Sequence, residues 1–317
     1  MKLSIILLAL SLSTKVLSYN AFFHSENFEN FCKSLRPNNI SKVLGSAIEA
    51  DAQGVLLGVQ KDNDISEVKI YNTQNQLVHE KEYKGKIKDF TRDANHTYLM
   101  FADRVEILNS SYEVERTIFS KESSKRYTEL TAIGIHNRTL YYSQGRLGLV
   151  AHGLDNEVTN NINLNIPQPS QGHESMITDF AIHNNKIFLA IDNVTYDFNT
   201  KKRAFEGIGI YDLNSNKVEL MKSINQRREA YGLPEINVSN GRIVTKNLHL
   251  LFSYDLEKLS KSKYAWPQTR LWKYGQDLKE EVVGRHFMDD QNIYTCTKTI
   301  DAGTSQSLII NREDFNL

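Results

Sequence analysis

Six echoes of one apolar rhythm, polar turn clusters between them, and a last echo one strand short predict an all-β chain. The fold class is a six-bladed β-propeller of four-stranded antiparallel blades, its ring closed by the N-terminal segment. Each echo contains a first apolar run: Val55–Leu57, Tyr98–Met100, Leu140–Tyr142, Ile187–Leu189, Leu248–Leu250 and Ile293–Thr295. A second run follows each: Val68–Tyr71, Val105–Leu108, Leu147–Val150, Ile208–Tyr211, Leu271–Tyr274 and Leu308–Ile310. Successive echoes are about 42–47 residues apart, with one longer interval of about 61, the period of a strand-built repeat. Asn, Asp, Gly and Ser cluster after the second runs, as in Asn72–Asn75, Asn109–Ser111, Gly153–Asn156 and Asp212–Asn216. Asn and Asp tolerate left-handed backbone and hydrogen-bond their own turns, which suits hairpins.

An innermost strand is expected before each first run, at Val43–Ala50, Ile87–Thr91, Leu130–Ile135, Ile177–Ile182, Val238–Val244 and His286–Met288. Outermost strands are expected at Leu77–Tyr83, Val114–Phe119, Val158–Leu164, Val218–Ile224 and Leu278–Val283. The sixth blade lacks its fourth strand, because the sequence given ends at Leu317. An open sheet edge invites association, so the missing strand is expected from Tyr19–Ser41. Phe28, Phe31 and Leu35 nonetheless have helical spacing, so part of that stretch reads as a short helix.

Residues 1–18 read as a secretory leader: Lys2 is the basic start, Leu3–Leu12 is apolar, and Val16 and Ser18 make a small-residue cleavage site before Tyr19. The apolar run is too short to span a membrane, and no later segment is longer. Residues 19–317 then form a single propeller domain, with a secreted or periplasmic location. Lys plus Arg and Asp plus Glu number 38 each, so no basic field exists to hold nucleic acid or an anionic membrane. There are two cysteines, Cys32 and Cys296, near opposite ends of the chain. Ring closure brings the N-terminal segment against the last blade, so a Cys32–Cys296 disulfide is expected.

Loop length supplies the functional asymmetry. In a propeller, connections between blades and loops between second and third strands emerge on one face. That face collects Ser120–Glu129, Asn165–Met176, Asp192–Glu206, Asn225–Ile236 and Ser253–Thr269, and long loops on a rigid scaffold are the usual place for binding. His173 and Glu174 lead into an inner strand carrying Asp179, a His with two carboxylates near the channel mouth. An Asp so placed also commonly satisfies backbone donors of neighbouring loops, and Asp89 holds a similar position one echo earlier. Arg227, Arg228 and Tyr231, with Trp266, add the residue types of binding hot spots. The sequence has no GxSxG, P-loop, HExxH, CxxC pair or dinucleotide fingerprint. Six N-glycosylation sequons begin at Asn39, Asn95, Asn109, Asn137, Asn193 and Asn237.

By repeat period and strand rhythm the chain resembles secreted six-bladed propellers. It is similar in architecture to the yellow and royal-jelly proteins, some of which bind small amines in the central channel. It is also similar in architecture to gluconolactonase-type lactonases, which hold a metal at the channel top. The leading functional expectation is a non-enzymatic secreted module without a cofactor, holding an unidentified protein or small ligand on the long-loop face. The alternative is a metal-dependent hydrolase of lactonase or esterase type, with calcium held by Glu49, Glu174 and Asp179 at the channel mouth.

Overall fold

A computed structural model describes residues 21–35, 46–61, 64–120, 128–167, 174–193, 204–223, 235–239, 241–247, 250–263, 265, 269–270, 280–289, 291–299 and 305–311. Six sheets, each ordered as its strands follow in the chain, make this a six-bladed β-propeller. The first blade is β1 (Ser46–Asp51), β2 (Gly54–Gln60), β3 (Ile65–Tyr71) and β4 (Leu77–Lys84). The second is β5 (Ile87–Arg92), β6 (Thr97–Phe101), β7 (Arg104–Leu108) and β8 (Val114–Phe119). The third is β9 (Ala132–His136), β10 (Thr139–Ser143), β11 (Leu149–Gly153) and β12 (Thr159–Ile162). The fourth is β13 (Ser175–His183), β14 (Lys186–Asn193), β15 (Gly207–Asp212) and β16 (Lys217–Ser223). The fifth is β17 (Glu235–Ser239), β18 (Arg242–Asn247), β19 (Leu250–Asp255) and β20 (Thr269–Arg270). The sixth is β21 (Glu280–Met288), β22 (Asn292–Thr299) and β23 (Ser305–Asn311), three strands among the described residues.

Burial grades outward within a blade. The second strand β6 is buried along its whole length, β7 alternates, and β8 is largely exposed. Inner strands are covered on both faces and read as continuous apolar runs, whereas outer strands keep a wet face. In β3, Ser66, Val68 and Ile70 point inward while Glu67 and Lys69 point out. There Lys69 Nζ sits 3.0 Å from Glu80 of β4 and 3.3 Å from Glu67, so the exposed face is laced with ion pairs.

Turn chemistry repeats between third and fourth strands. Asn72 Oδ1 accepts from the backbone N–H of Gln74 and Gln76, and Asn109 Oδ1 from Ser111 and Glu113. Asp212 Oδ1 does the same for Ser215, and Asp255 for Lys258 at the start of the short helix Leu256–Lys261. First-to-second turns use two devices. Asp51, Asp93 and Asp289 close theirs by accepting backbone N–H bonds, while Asn137–Arg138 and Asn184–Asn185 adopt the left-handed conformation.

The chain divides into two compact units. One contains blade 1, most of blade 6 and the N-terminal segment. Of the window Tyr19–Ser41 expected to supply the fourth strand, the described residues 21–35 bear out the helical reading of Phe28, Phe31 and Leu35. That segment forms helix α1 (Glu26–Ser34), capped by Ser25, whose side chain accepts from the N–H of Asn27. Phe28, Phe31, Cys32 and Leu35 fall on one face at helical spacing and are all buried. As a strand, the same sequence would turn Phe28 and Phe31 to opposite sides. Phe23 stacks on Tyr294 with centroids 4.0 Å apart and on Phe287 at 5.4 Å, and Phe22 meets Tyr71 at 4.9 Å. A Cys32–Cys296 disulfide fixes α1 to β22. Glu29 of α1 accepts from the N–H and hydroxyl of Ser307 at 3.0 and 2.6 Å, and these bonds hold its carboxyl below the ordinary range. The rest of the expected strand window, 36–41, lies outside the described residues.

The second unit contains blades 2 to 5. Its inner strands are latched by buried carboxylates: Asp89 of β5 accepts from the N–H of Ile133 in β9 at 3.0 Å. Asp179 of β13 likewise accepts from Ile236 in β17 at 2.9 Å. Blade 5 corrects the expected strand order. Val238–Val244 is not one inner strand, because it spans two antiparallel strands, β17 and β18, with Ser239 paired to Arg242. Of the expected first run Leu248–Leu250, Leu250 begins the third strand, and 248–249 lie outside the described residues. The expected loop Ser253–Thr269 runs instead from the end of β19 to the start of β20, with Ser253 paired to Thr269, and carries helix α2 (Leu256–Lys261), whose Leu259 is buried with Ala265 between blades 4 and 5. Residues expected as the outer strand of blade 5, from Glu280 onward, belong to β21.

Candidate functional site

Strand alternation gives blades 2 to 4 two distinct ends. The hairpin end carries the tight first-to-second and third-to-fourth turns. At the loop end lie the described residues that lead from one blade to the next and from second to third strand, among them Ser120, Gln144–Gly148 and Glu174.

At the loop end, blades 3 and 4 are joined by a hydroxyl chain. Thr131 Oγ1 lies 2.6 Å from Ser143 Oγ and donates to the carbonyl of Ile177 at 2.9 Å, while Ser143 Oγ accepts from the N–H of Ala132. On this floor sits a single 3-10 turn, Gly145–Leu147, between β10 and β11. Gly145 and Gly148 both have positive φ, at 49° and 96°, which lets the chain fold back tightly enough for the N–H of Gln144 to reach the carbonyl of Gly148.

That turn projects Arg146 toward Glu174, the residue leading into β13, and the two pair at 2.9 Å. Gln144 Nε2 donates to Ser120 Oγ, tying the turn to the end of blade 2. The adjoining side chains are apolar and open: Phe119, at the end of β8, is 68% exposed and Leu147 is 45% exposed. The result is a polar centre of one Arg–Glu pair and one amide–hydroxyl bond, flanked by an aromatic and an aliphatic side chain in water. This is the composition of a contact surface: an Arg and an aromatic on rigid backbone, with their polar partners already set.

The sequence-singled residues distribute as follows. Glu174 belongs to this patch. Asp179 lies in the interior of β13, 3% exposed, as the latch to Ile236. Glu49 lies in β1, in the other unit. Of the trio cast as calcium ligands, Glu174 is thus engaged by Arg146 and Asp179 by a backbone N–H. Among the described residues no group of three or more His, Cys, Asp and Glu side chains is placed to hold a metal ion. His173, Arg227, Arg228, Tyr231 and Trp266 lie outside the described residues. By chain position Arg227, Arg228 and Tyr231 come between β16 and β17, and Trp266 between β19 and β20. Sequence reading passed over Phe119, Arg146 and Leu147. Their signal was Gly145-Arg146-Leu147-Gly148, two glycines bracketing a cation and an apolar residue between the second and third runs.

The hairpin end is built differently. Burial would raise the Asp93 carboxyl, but the N–H of Asn95, the Tyr98 hydroxyl and the N–H of His96, each at 2.8 Å, hold it below the ordinary range. Burial and the same hydrogen bond push the Tyr98 hydroxyl well up. Arg116 contacts His152 Nε2 at 2.9 Å and Glu157 at 3.2 Å, and Arg138 pairs with Asp155. Burial first, then Arg116, lowers the His152 imidazole, which keeps it neutral between Arg116 and Thr159. Between the turns of blades 2 and 3 is an open cavity of about 380 Å³, walled by Asp93–Asn95 and Ile135–Arg138.

No protein-family model matches this chain. No curated protein matches it either. Solved structures do. The β-propeller domain of Myceliophteria thermophila Cps50 (Swd1) aligns with a TM-score of 0.56 at 7% identity, over 86% of this chain and 89% of that one. The WD40 repeats of RRP9 align with a TM-score of 0.55 at 11% identity, over 87% and 82%. A Bacteroides caccae protein of unknown function aligns with a TM-score of 0.51 at 13% identity, over 81% and 89%. The likeness is one of fold. It bears out the propeller expectation and leaves the narrower comparisons with yellow-type proteins and lactonases as resemblances of architecture.

Proposed function

We propose that this chain is a secreted interaction module that holds a protein partner at the loop end of blades 2 to 4. The observation that carries the reading is the exposure of Phe119 and Leu147, the sequence neighbours of Ser120 and Arg146, whose bonds to Gln144 and Glu174 tie together the ends of blades 2, 3 and 4. Rigid backbone presenting an aromatic and an Arg loses little side-chain freedom on docking, so more of the contact energy survives as affinity. A protein partner suits this patch because large apolar side chains standing in water beside an Arg are what a protein contact surface buries.

Secretion is supported by the leader-like first eighteen residues and by the Cys32–Cys296 bridge, since such bonds persist in oxidising compartments. No helix among the described residues is long and apolar enough to cross a membrane. The propeller architecture shared with the Cps50 and RRP9 domains is compatible with a scaffold for docking.

The test is the mass of native complexes from cells of the source organism expressing the tagged chain. The reading expects wild type to elute with a partner and a Phe119→Asp, Leu147→Asp double variant to elute at its own mass. A hairpin-end double variant, Val114→Asp with Val158→Asp, should stay in the complex. Release by the hairpin-end variant alone would overturn the assignment.

A further inference from the structure

The cavity at the hairpin end has a feature that neither the fold nor the loop-end patch uses: two N-glycosylation sequons face each other across it. Asn95, the first residue of Asn95-His96-Thr97, lies in one wall, and Asn137 and Arg138 of Asn137-Arg138-Thr139 lie in the other. Both Asn residues are exposed and lie on tight turns of neighbouring blades.

Their side chains differ in commitment. The backbone N–H of Asn95 is held by Asp93, but its side-chain amide makes no hydrogen bond among the described residues. Asn137 Nδ2 lies 2.9 Å from His136 Nε2. Of the other described sequons, Asn109 spends its Oδ1 on two backbone N–H groups and is half-buried. Asn237 is half-buried within β17, paired opposite Val244. Asn95 is therefore the acceptor with an uncommitted amide, an open approach, and a cavity beside it. The volume of about 380 Å³ is within the range that holds a small ligand. Its far wall offers the Asn137 amide, the His136 ring and the aliphatic Ile135, a mixture suited to hydroxyls, an acetamide and the apolar face of a pyranose.

We propose that Asn95 carries an N-linked glycan and that this cavity seats its first N-acetylglucosamine, so that the sugar bridges blade 2 to blade 3. The attachment uses a lipid-pyrophosphate-linked oligosaccharide and its membrane transferase. Asn95 Nδ2 attacks the anomeric carbon, a C–N bond forms, the C–O bond to pyrophosphate breaks, and the pyrophosphate leaves with the electron pair. The amide gives up one proton to a base of the transferase. The inference rests on the secretion reading, because that transferase works in the secretory pathway. A glycan seated here also covers the hairpin end and leaves the loop end open for a partner.

The experiment expresses the full chain in cultured eukaryotic cells, once with its own first eighteen residues and once behind a foreign leader. Site occupancy is read by glycopeptide mass spectrometry and stability by thermal unfolding. Asn95 should be occupied in both. Trimming to a single N-acetylglucosamine should leave the melting temperature unchanged, whereas Asn95→Gln should lower it by about 2–4 °C. The same substitution in unglycosylated bacterial protein should change it by less than about 1 °C, which separates the lost sugar from a damaged turn. An empty Asn95 behind both leaders overturns the proposal, as does an Asn95→Gln variant that melts with wild type when both are made in the glycosylating cells. Occupancy and stabilisation behind the foreign leader alone would uphold the seat and contradict secretion by the chain's own leader.

Discussion

Replacing Cys32 and Cys296 together by Ala tests how the N-terminal segment is held. The bond joins residues 264 apart in sequence, so its loss returns a very long loop to the unfolded chain. In the chain-entropy description a loop of that length corresponds to about 5–6 kcal/mol. Both sulfurs are buried among Phe22, Phe23, Phe28, Phe31 and Tyr294, so Ala is preferred to Ser, whose hydroxyl would need a partner there. The aromatic stack of Phe23 on Tyr294 and the Glu29–Ser307 bonds remain, so α1 should stay docked while the global transition moves. At about 2–4 °C per kcal/mol for a large domain, the melting temperature should drop by about 10 °C or more. Differential scanning calorimetry on both proteins, with reductant added to wild type as a third arm, reads this directly. A double variant melting within about 2 °C of oxidised wild type would refute the argument that the bridge restrains the unfolded chain.

Other consequences follow from single interactions. Asp89→Ala and Asp179→Ala each strand a buried backbone N–H, of Ile133 and Ile236, and should each cost about 1–3 kcal/mol in urea denaturation. Their partners differ, so the two losses should add. Gly54 has φ of 130°, and a Cβ there would lie 1.9 Å from the Tyr71 carbonyl oxygen; Gly54→Ala should cost about 3 kcal/mol, read from the urea midpoint. The Asp93 carboxyl sits below its ordinary 3.8, so its contribution is fully present above that value and is lost as pH falls through its lower folded value. Urea midpoints should therefore decline below about pH 4, and less steeply in Asp93→Asn, with the two profiles parallel at neutral pH. Calorimetric titration with calcium should give no heat that depends on Glu174 or Asp179, because Arg146 and the Ile236 N–H already engage them. A stoichiometric ion lost in the Glu174→Ala, Asp179→Ala variant would return the hydrolase alternative to first place.

Much of the architecture was legible because a blade repeats its local chemistry. Ile70-Tyr71-Asn72, Ile107-Leu108-Asn109 and Ile210-Tyr211-Asp212 each end a third strand with a bulge after the Ile and close the next turn with the Asn or Asp side chain. Blade 5 was misread where Asn240-Gly241 interrupts an apolar run. That dipeptide is a strong hairpin signal, and Gly241 indeed has φ of 75°, but apolar content on either side masked the turn. The N-terminal segment was ambiguous for a physical reason. A sheet edge asks for a strand while the spacing of Phe28, Phe31 and Leu35 asks for a helix, and the aromatic cluster with Phe23, Phe287 and Tyr294 decides for the helix. Asp179 shows the limit for sites. Its carboxylate next to His173 and Glu174 in sequence reads as chemistry, yet strand alternation turns it inward to a backbone N–H. Phe119 and Leu147 ran the other way: as members of apolar strand runs they carried no sign of a site, and only their exposure sets them apart.

The central claim is that partners dock at the loop end of blades 2 to 4 while the hairpin end stays covered. Site-directed photo-crosslinking measures this most directly, with benzoylphenylalanine placed at position 119 in one protein and at position 114 in another, both in secreting cells of the source organism. Both positions lie on β8, near opposite ends of one exposed strand. The account expects one discrete protein adduct from position 119 and none from position 114. Adducts from position 114 alone, or equal yields of the same adduct from both, would contradict it.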